Sequence, residues 1–512
     1  MFNYRSKPID GELLNLKEQI EKYAVDYGLD FYPVIFEVCD YDTINILAAQ
    51  EGFPNRYPHW RFGMQYDQMS KGYMFGVQKI YEMVINTNPC YAYLLNANHL
   101  VDQKTVMAHV YGHADFFKNN YYFSTTDRNM MDVMANHGSK IRRYMEKYGQ
   151  DTVEDFIDCV NSIDTLIDTN ILFETHDVKS KRRELERLAV EEVHDDEMEG
   201  SNALKSFFRS KKRNEASRMA DQPQAETEES HALPGMDEFD PRYSRDLMKF
   251  LMDHAPLTEW QADIIGILRE EAYYFLPQRM TKIMNEGWAS YWHSLIMTQK
   301  ALKASEIVDF ADHHAGVMAM SQQRINPYKI GIELFRDIEY RWNTGRFGKR
   351  YNDCTDMNLK ENWDEGLGLG REKIFEVRRT HNDITFIDEF FTEEFCNRMQ
   401  IFTYKFNPRT GRNEIETRDF MEIKSRLLNQ LTNFGTPVIE VESKNYGNRG
   451  ELLLRHVHYG TDLDLAMAND TLKNVYALWK RPINLATIVE GVETIYHFDG
   501  KEMKPLKSPT AS

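Results

Sequence analysis

The stretch Val106-Met-Ala-His-Val-Tyr-Gly-His-Ala-Asp-Phe-Phe117 sets the tightest condition on this chain. It is an apolar run interrupted by two histidines, His109 and His113, four residues apart. On a helix, residues at that spacing share one face, with roughly 6 Å between their Cβ atoms. Two imidazoles so placed can grip one metal ion from a single helix. In the motif His-Glu-x-x-His, the glutamate after the first histidine serves as general base. Here that place is Val110. The geometry of a metal site is present and its usual base is missing. Paired helical histidines can also simply hydrogen-bond to core neighbours, so the spacing alone leaves both outcomes open.

A chain of 512 residues can build two or three domains, and 42% hydrophobic residues suffice for their cores. The net charge of -18 argues against duplex nucleic acid or an anionic membrane as the main partner, since both need a basic face. The N-terminus lacks the apolar core of a signal peptide, and no run approaches the roughly 18 apolar residues of a membrane span. The five cysteines are scattered, which suggests neither a disulfide framework nor a cysteine metal site. A cytoplasmic protein is the simplest expectation.

Along the chain, periodicity predicts a helix over 9–28, a strand over 31–38, a helix over 41–50 and an aromatic loop over 57–63. His59 in that loop is expected to pack against Trp60. Two strand runs within 83–95, broken at Asn88-Pro89, should deliver the chain into the histidine helix, with Asp102 and Thr105 as possible N-caps. Helices are expected over 128–172, 244–254 and 258–274. Pro277 would open the first turn of the next helix, running to about 304. Further helices cover 305–321 and 329–342, and 345–370 reads as a Gly-rich connector. Its Glu365-Gly-Leu-Gly-Leu-Gly-Arg371 lacks the preceding strand and Lys-Ser/Thr ending of a phosphate loop. Beyond 383, an order of strand (400–406), helix (417–432), two strands (437–443, 450–459), helix (462–480) and strand (484–490) suggests a small ferredoxin-like α+β domain.

The expected division is therefore 1–175, an α+β part carrying the histidine helix; 176–240, a charged, partly disordered insertion or linker; 241–375, a helical part completing the first domain; and 383–500, the C-terminal domain. The fold class is α+β: a mainly helical, zincin-like metallohydrolase-type domain with a short sheet, then the ferredoxin-like domain.

Asn285-Glu-Gly-Trp-Ala-Ser-Tyr291 resembles the Asn-Glu-Gly-Phe-Ala segment of zinc aminopeptidases, whose glutamate is the third zinc ligand. That resemblance makes Glu286 the partner of His109 and His113 in a three-ligand site for a divalent metal, zinc being the expected one. Without it, Glu286 could equally be a buried ion-pair member. His293 lies seven residues beyond Glu286, roughly 10 Å along the axis, too far to share the ion directly. It reads as a substrate-side proton donor, a group behind a ligand, or a stacked core ring. Of His313 and His314 at most one can join, and His314 is carried forward. Glu271 and Asp115 are the candidates for the missing base. Asp115 could instead orient an imidazole, and Asn285 could contact a ligand or substrate.

Taken together, Tyr57-Pro-His-Trp60, Val84-Ile-Asn-Thr-Asn-Pro-Cys90, Gly112-His-Ala-Asp-Phe-Phe-Lys-Asn-Asn120 and Met284-Asn-Glu-Gly-Trp-Ala-Ser-Tyr-Trp-His293 resemble the stage V sporulation protein R (SpoVR) family across essentially the whole chain. The resemblance implies a cytoplasmic bacterial protein tied to spore-cortex assembly in spore-formers, or to stress and starvation elsewhere. It also implies a PrkA-type serine protein kinase and a von Willebrand-A-like protein as partners. Three functional expectations follow: a metal-dependent hydrolase of peptide or amide bonds, a non-catalytic regulatory or scaffold protein on a degenerate zincin-like frame, and an iron site supporting redox chemistry.

Overall fold

The computed structural model describes residues 6–74, 82–171, 245–318 and 326–506. The expected insertion at 176–240 lies outside the described residues. Strands β1 (Ser6–Pro8), β2 (Val34–Cys39), β3 (Glu82–Ile85) and β4 (Cys90–Leu95) form a sheet ordered β1-β2-β4-β3. Only β2 and β4 run parallel, with Val34 opposite Cys90. Their Val, Ile, Phe and Leu residues suit a pleated surface covered by helices. β4 hands the chain directly to the histidine helix, Leu100–Asn119, and the Gln103 amide donates to the Leu95 carbonyl at 2.8 Å, tying helix start to strand end.

That helix is buried from Val106 to Phe117 and forms the centre of a helical stack. The glutamate helix, Lys282–Ile296, packs against it, and helix Pro327–Thr344 packs on the far side. Glycines make these approaches possible. A Cβ on Gly112 would stand 2.6 Å from the Ala289 Cα, and one on Gly287 would stand 2.5 Å from the Gly331 Cα.

Several local expectations are corrected. Neither Asp102 nor Thr105 caps the histidine helix: His99 is the N-cap residue, Asp102 accepts from His313 at 2.6 Å, and the Thr105 hydroxyl donates to the Val101 carbonyl. Pro277 does not open a helix. It lies in the last turn of Glu259–Met280, and the break falls at Thr281, whose hydroxyl donates to the Pro277 carbonyl at 2.7 Å. The new helix starts at Lys282 because the Asp383 carboxylate accepts the Ile283 and Met284 amides at 2.8 and 2.9 Å, a cap supplied from a hundred residues away. The aromatic loop ends in a helix, Trp60–Met74, and the connector holds two short helices, Gly348–Asn352 and Met357–Glu361.

The ferredoxin-like expectation fails on topology. β5 (Thr403–Asn407) pairs with β6 (Arg412–Thr417), a strand missed in the sequence, as an isolated hairpin. The C-terminal sheet comprises β7 (Ile439–Tyr446), β8 (Glu451–His456), β9 (Ile483–Val489), β10 (Val492–Phe498) and β11 (Met503–Pro505) in sequential order. Its one parallel pair, β8 with β9, is joined across helix Leu465–Trp479. The first strand of a ferredoxin-like fold would have to enter this sheet, and β5 does not. Residues of 383–431 such as Phe386, Phe390 and Leu427 pack into the core of the histidine helix. The sheet instead shares a core with helices Gln150–Asn161, Leu247–His254 and Glu259–Met280, where Phe250 meets Trp479. The chain is thus mostly helical, with small sheets and a C-terminal sheet domain. Among the described residues, no helix is long and apolar enough to cross a membrane.

Candidate metal centre

His109 and His113 project from one turn of their helix with ring centroids 4.5 Å apart and planes at 89°. Glu286 faces both. Its Oε2 lies 3.4 Å from His109 Nε2 and 3.5 Å from His113 Nε2, and all three side chains are buried. The other oxygen, Oε1, accepts from Lys282 Nζ at 2.5 Å, one turn back on the same helix. Behind the ligand edges, His113 Nδ1 meets Asn285 Oδ1 at 2.8 Å and His109 Nδ1 meets His293 Nδ1 at 2.9 Å. Tyr328 stacks on His109 and Phe117 on His113.

Three observations fit this set to a metal ion. First, Glu286 Oε2 is buried without a hydrogen-bond partner. Its separations from the imidazoles exceed the roughly 2.7–3.2 Å of a good N–H···O bond. They match the edge of a tetrahedral site, because arms of about 2.0–2.1 Å set ligand atoms about 3.3–3.4 Å apart. Second, an amide oxygen only accepts, so Asn285 Oδ1 takes a hydrogen bond from His113 Nδ1 and fixes the ring's orientation. The Nε2 atom of the same ring then faces the Glu286 carboxylate. Orientation of a ligating imidazole through its other nitrogen is the usual support for a metal site. Third, the ionisation states suit ligation. Burial, with the neighbouring His113, lowers His109 to about 4, leaving it neutral at neutral pH. Burial alone would raise the Glu286 carboxyl, but the two imidazoles and Lys282 outweigh it and hold it well below the usual range. Two imidazoles and one carboxylate form the donor set of a catalytic zinc site or of a non-haem iron triad.

The structure separates the other candidates. Val110 is wholly buried in the core. Glu271 is held by the Arg56 guanidinium and by His137 Nδ1 at 3.2 Å, in an ion network with Glu51 that makes no contact with Glu286 or the two histidines. Glu271 is thus paired with Arg56 and His137 and takes no part in the cluster of His109, His113 and Glu286. Asp115 is equally committed. It accepts from Trp288 Nε1 at 2.8 Å and the Asp30 amide at 2.8 Å, with Arg378 at 3.5 Å, and orients no imidazole. Burial pushes its carboxyl up to about 6. His293 sits on the Nδ1 side of His109, behind the ligand edge, and burial with the adjoining imidazoles holds its pKa well below the ordinary value. His314 Nδ1 touches His293 Nε2 at 3.2 Å, whereas His313 turns away to Asp102. His59 packs on Trp60 with Asp158 at 3.4 Å.

Three contributors escaped the sequence reading. Lys282 was signalled by its i, i+4 spacing to Glu286. Tyr328 and Asp383 carried no local signal, because each reaches the centre or its helix through tertiary packing.

Comparison with known proteins follows the same division of the chain. A family model described as SpoVR like protein matches residues 10–436, and one described as SpoVR-like C-terminal domain matches 437–490. An Escherichia coli K12 protein named Uncharacterized protein YcgB is 29% identical over 485 residues, covering 90% of this chain and 89% of its own length. No solved structure matches.

Proposed function

We propose that this chain, which belongs to the SpoVR family, holds a divalent metal ion, zinc in the first instance, and works as a zincin-like metal-dependent hydrolase of peptide or amide bonds. The single observation carrying this reading is the unpartnered Glu286 Oε2 at tetrahedral-edge distance from two imidazoles. When bound, such an ion acts as a Lewis acid that polarises a carbonyl and makes water acidic near neutral pH. The chain's own residues set the stage. Asn285 and His293 orient the two imidazoles, Lys282 holds one carboxylate oxygen so that the other faces inward, and Tyr328 stacks on His109.

A second reading, a regulatory or scaffold protein acting with a PrkA-type kinase and a von Willebrand-A-like protein, is favoured by one specific observation. The base position is filled by a buried valine, and both alternative carboxylates are engaged elsewhere. Metal content by mass spectrometry on protein purified without chelator, wild type against His109→Ala and Glu286→Gln, tests the common premise. Stoichiometric metal in the wild type that is lost in both variants is expected, and sub-stoichiometric metal in the wild type refutes both metal-centred readings. Stoichiometric metal without cleavage of peptide or amide libraries selects the scaffold.

A further inference from the structure

A cavity of about 750 Å³ opens between the helical body and the C-terminal sheet domain. That volume falls in the range of small-ligand sites, about 300–1,000 Å³. One side is apolar, lined by Ile167, Leu427, Leu431 and Phe434. The other carries three cations, Arg245, Arg279 and Lys282, against a single lining carboxylate, Asp383. In a chain with net charge -18, a positive wall of this kind runs against composition. Both oxygens of Asp383 already accept backbone amides of the glutamate helix. Arg245 reaches Glu440 through Nε at 2.9 Å and Arg279 reaches Asp164 at 3.5 Å, each side chain remaining partly exposed. At the rim, Asn433 and Phe434 both hold left-handed backbones, with φ of 44° and 58°. Bulky residues rarely adopt that conformation, and such strain clusters at ligand clamps.

Lys282 belongs to this wall and also to the metal centre, where it holds Glu286 Oε1. We infer that the cavity binds a small carboxylate-bearing ligand with an apolar body, and that its occupancy is felt at the metal centre through Lys282. The carboxylate lies among the three cations and the apolar body against the leucine-rich side. An anion that draws the Lys282 ammonium away from Glu286 leaves that carboxylate more negative, hence a stronger metal ligand. Metal affinity therefore rises with the ligand bound and, by reciprocity, ligand affinity rises by the same factor with metal bound. The binding stands without the metal reading, whereas the coupling rests on it.

The test is equilibrium binding to the full chain of two carboxylates, dodecanoate and N-acetyl-Leu-Leu, against their uncharged counterparts, dodecanol and N-acetyl-Leu-Leu amide. At least one carboxylate is expected to bind below about 1 mM and about tenfold more tightly than its counterpart, and which one does so separates an acyl from a peptide ligand. The double variant Arg245→Gln/Arg279→Gln should lose about tenfold in carboxylate affinity. Absence of binding, equal binding of the uncharged counterparts, or an unchanged double variant overturns the inference. For the coupling, zinc is titrated with and without the bound carboxylate, in the wild type and in Lys282→Met. A gain in zinc affinity of about fivefold or more is expected in the wild type and none in the variant. Carboxylate binding without any zinc binding refutes the metal reading and leaves the cavity standing. Zinc binding without carboxylate binding does the reverse. Both bound without mutual effect overturns the coupling.

Discussion

Gly112→Ala is the substitution whose effect the packing defines most sharply. The added Cβ would stand 2.6 Å from the Ala289 Cα and 3.2 Å from its Cβ. Carbon atoms rest about 3.5–4.0 Å apart, so the histidine and glutamate helices must part by about 1 Å. The glutamate helix cannot retreat freely, because Gly287 already lies against the Gly331 backbone on its other face. Overpacking of this kind costs about 1–3 kcal/mol of stability. The larger effect falls on the centre. Gly112 adjoins His113 and Ala289 lies one turn from Glu286, so the parting lengthens the 3.4 and 3.5 Å separations beyond a tetrahedral edge. Misplacement of a functional group by about 1 Å commonly costs about a hundredfold, and zinc affinity should drop by about that factor. The assay is zinc titration against a competing chelator, paired with denaturant unfolding of the metal-free protein. Gly63→Ala is the control, since a Cβ there meets nothing within 4 Å. It should leave zinc affinity unchanged and stability level or slightly raised. Retention of wild-type zinc affinity by Gly112→Ala would refute the claim that close helix approach sets the site.

Asn285→Leu removes the acceptor on His113 Nδ1; zinc affinity should fall about 10–100-fold with the fold retained, as read by chelator competition and circular dichroism. Glu271→Gln leaves Glu51 as the remaining carboxylate on buried Arg56 and should lose about 1–3 kcal/mol in denaturant unfolding. Folded Glu271→Gln protein should keep its metal, and loss of metal from the folded variant would contradict the placement of Glu271 outside the ligand set. Burial raises the Asp383 carboxyl to about 7, above the usual carboxylate value, despite the two amides it accepts. The folded state therefore holds this proton more tightly than the unfolded chain, and the stability it contributes is complete below about pH 4 and lost as pH rises through about 7. Asp383→Asn should flatten that part of the stability profile, and an unchanged wild-type slope in the variant would contradict the assignment.

What the sequence could disclose follows from how local each determinant is. The histidine helix, the strands leading into it and the His109–His113 face were legible because they depend on spacing within one element. Glu286 was legible only through its flanking Asn-Glu-Gly string. The start of its helix was not, because the capping carboxylate of Asp383 comes from another part of the fold, and Pro277 offered a competing local signal. The same holds for the C-terminal domain: strand and helix periodicities located most elements, but periodicity says nothing about which strands pair, and β5 paired with β6 rather than joining the sheet. Glu271 carried no local sign of its partner. The Arg56 that neutralises it lies 215 positions away.

Charge at the centre bears on the valine at the base position. In an ordinary site of two histidines and one glutamate, the carboxylate cancels one of the two charges on the ion. Here Lys282 partly offsets that carboxylate, so a divalent ion, if bound, would keep more of its charge than in such a site. Buried positive charge of that size favours an anion beside it, because the surrounding protein screens it weakly. It also acts on nearby water in the direction that a general base otherwise supplies, since positive charge favours the deprotonated form. A carboxylate base at position 110 would reduce this charge again. With a divalent ion bound as proposed, Lys282 and Val110 would work in the same direction, toward electrophilic strength and the attraction of anions. Lys282→Met separates the two readings on this ground: if the lysine serves catalysis, the variant should bind zinc more tightly yet turn over amide substrates more slowly. A variant that gains zinc affinity in a protein without measurable turnover leaves the lysine as a regulator of metal occupancy alone.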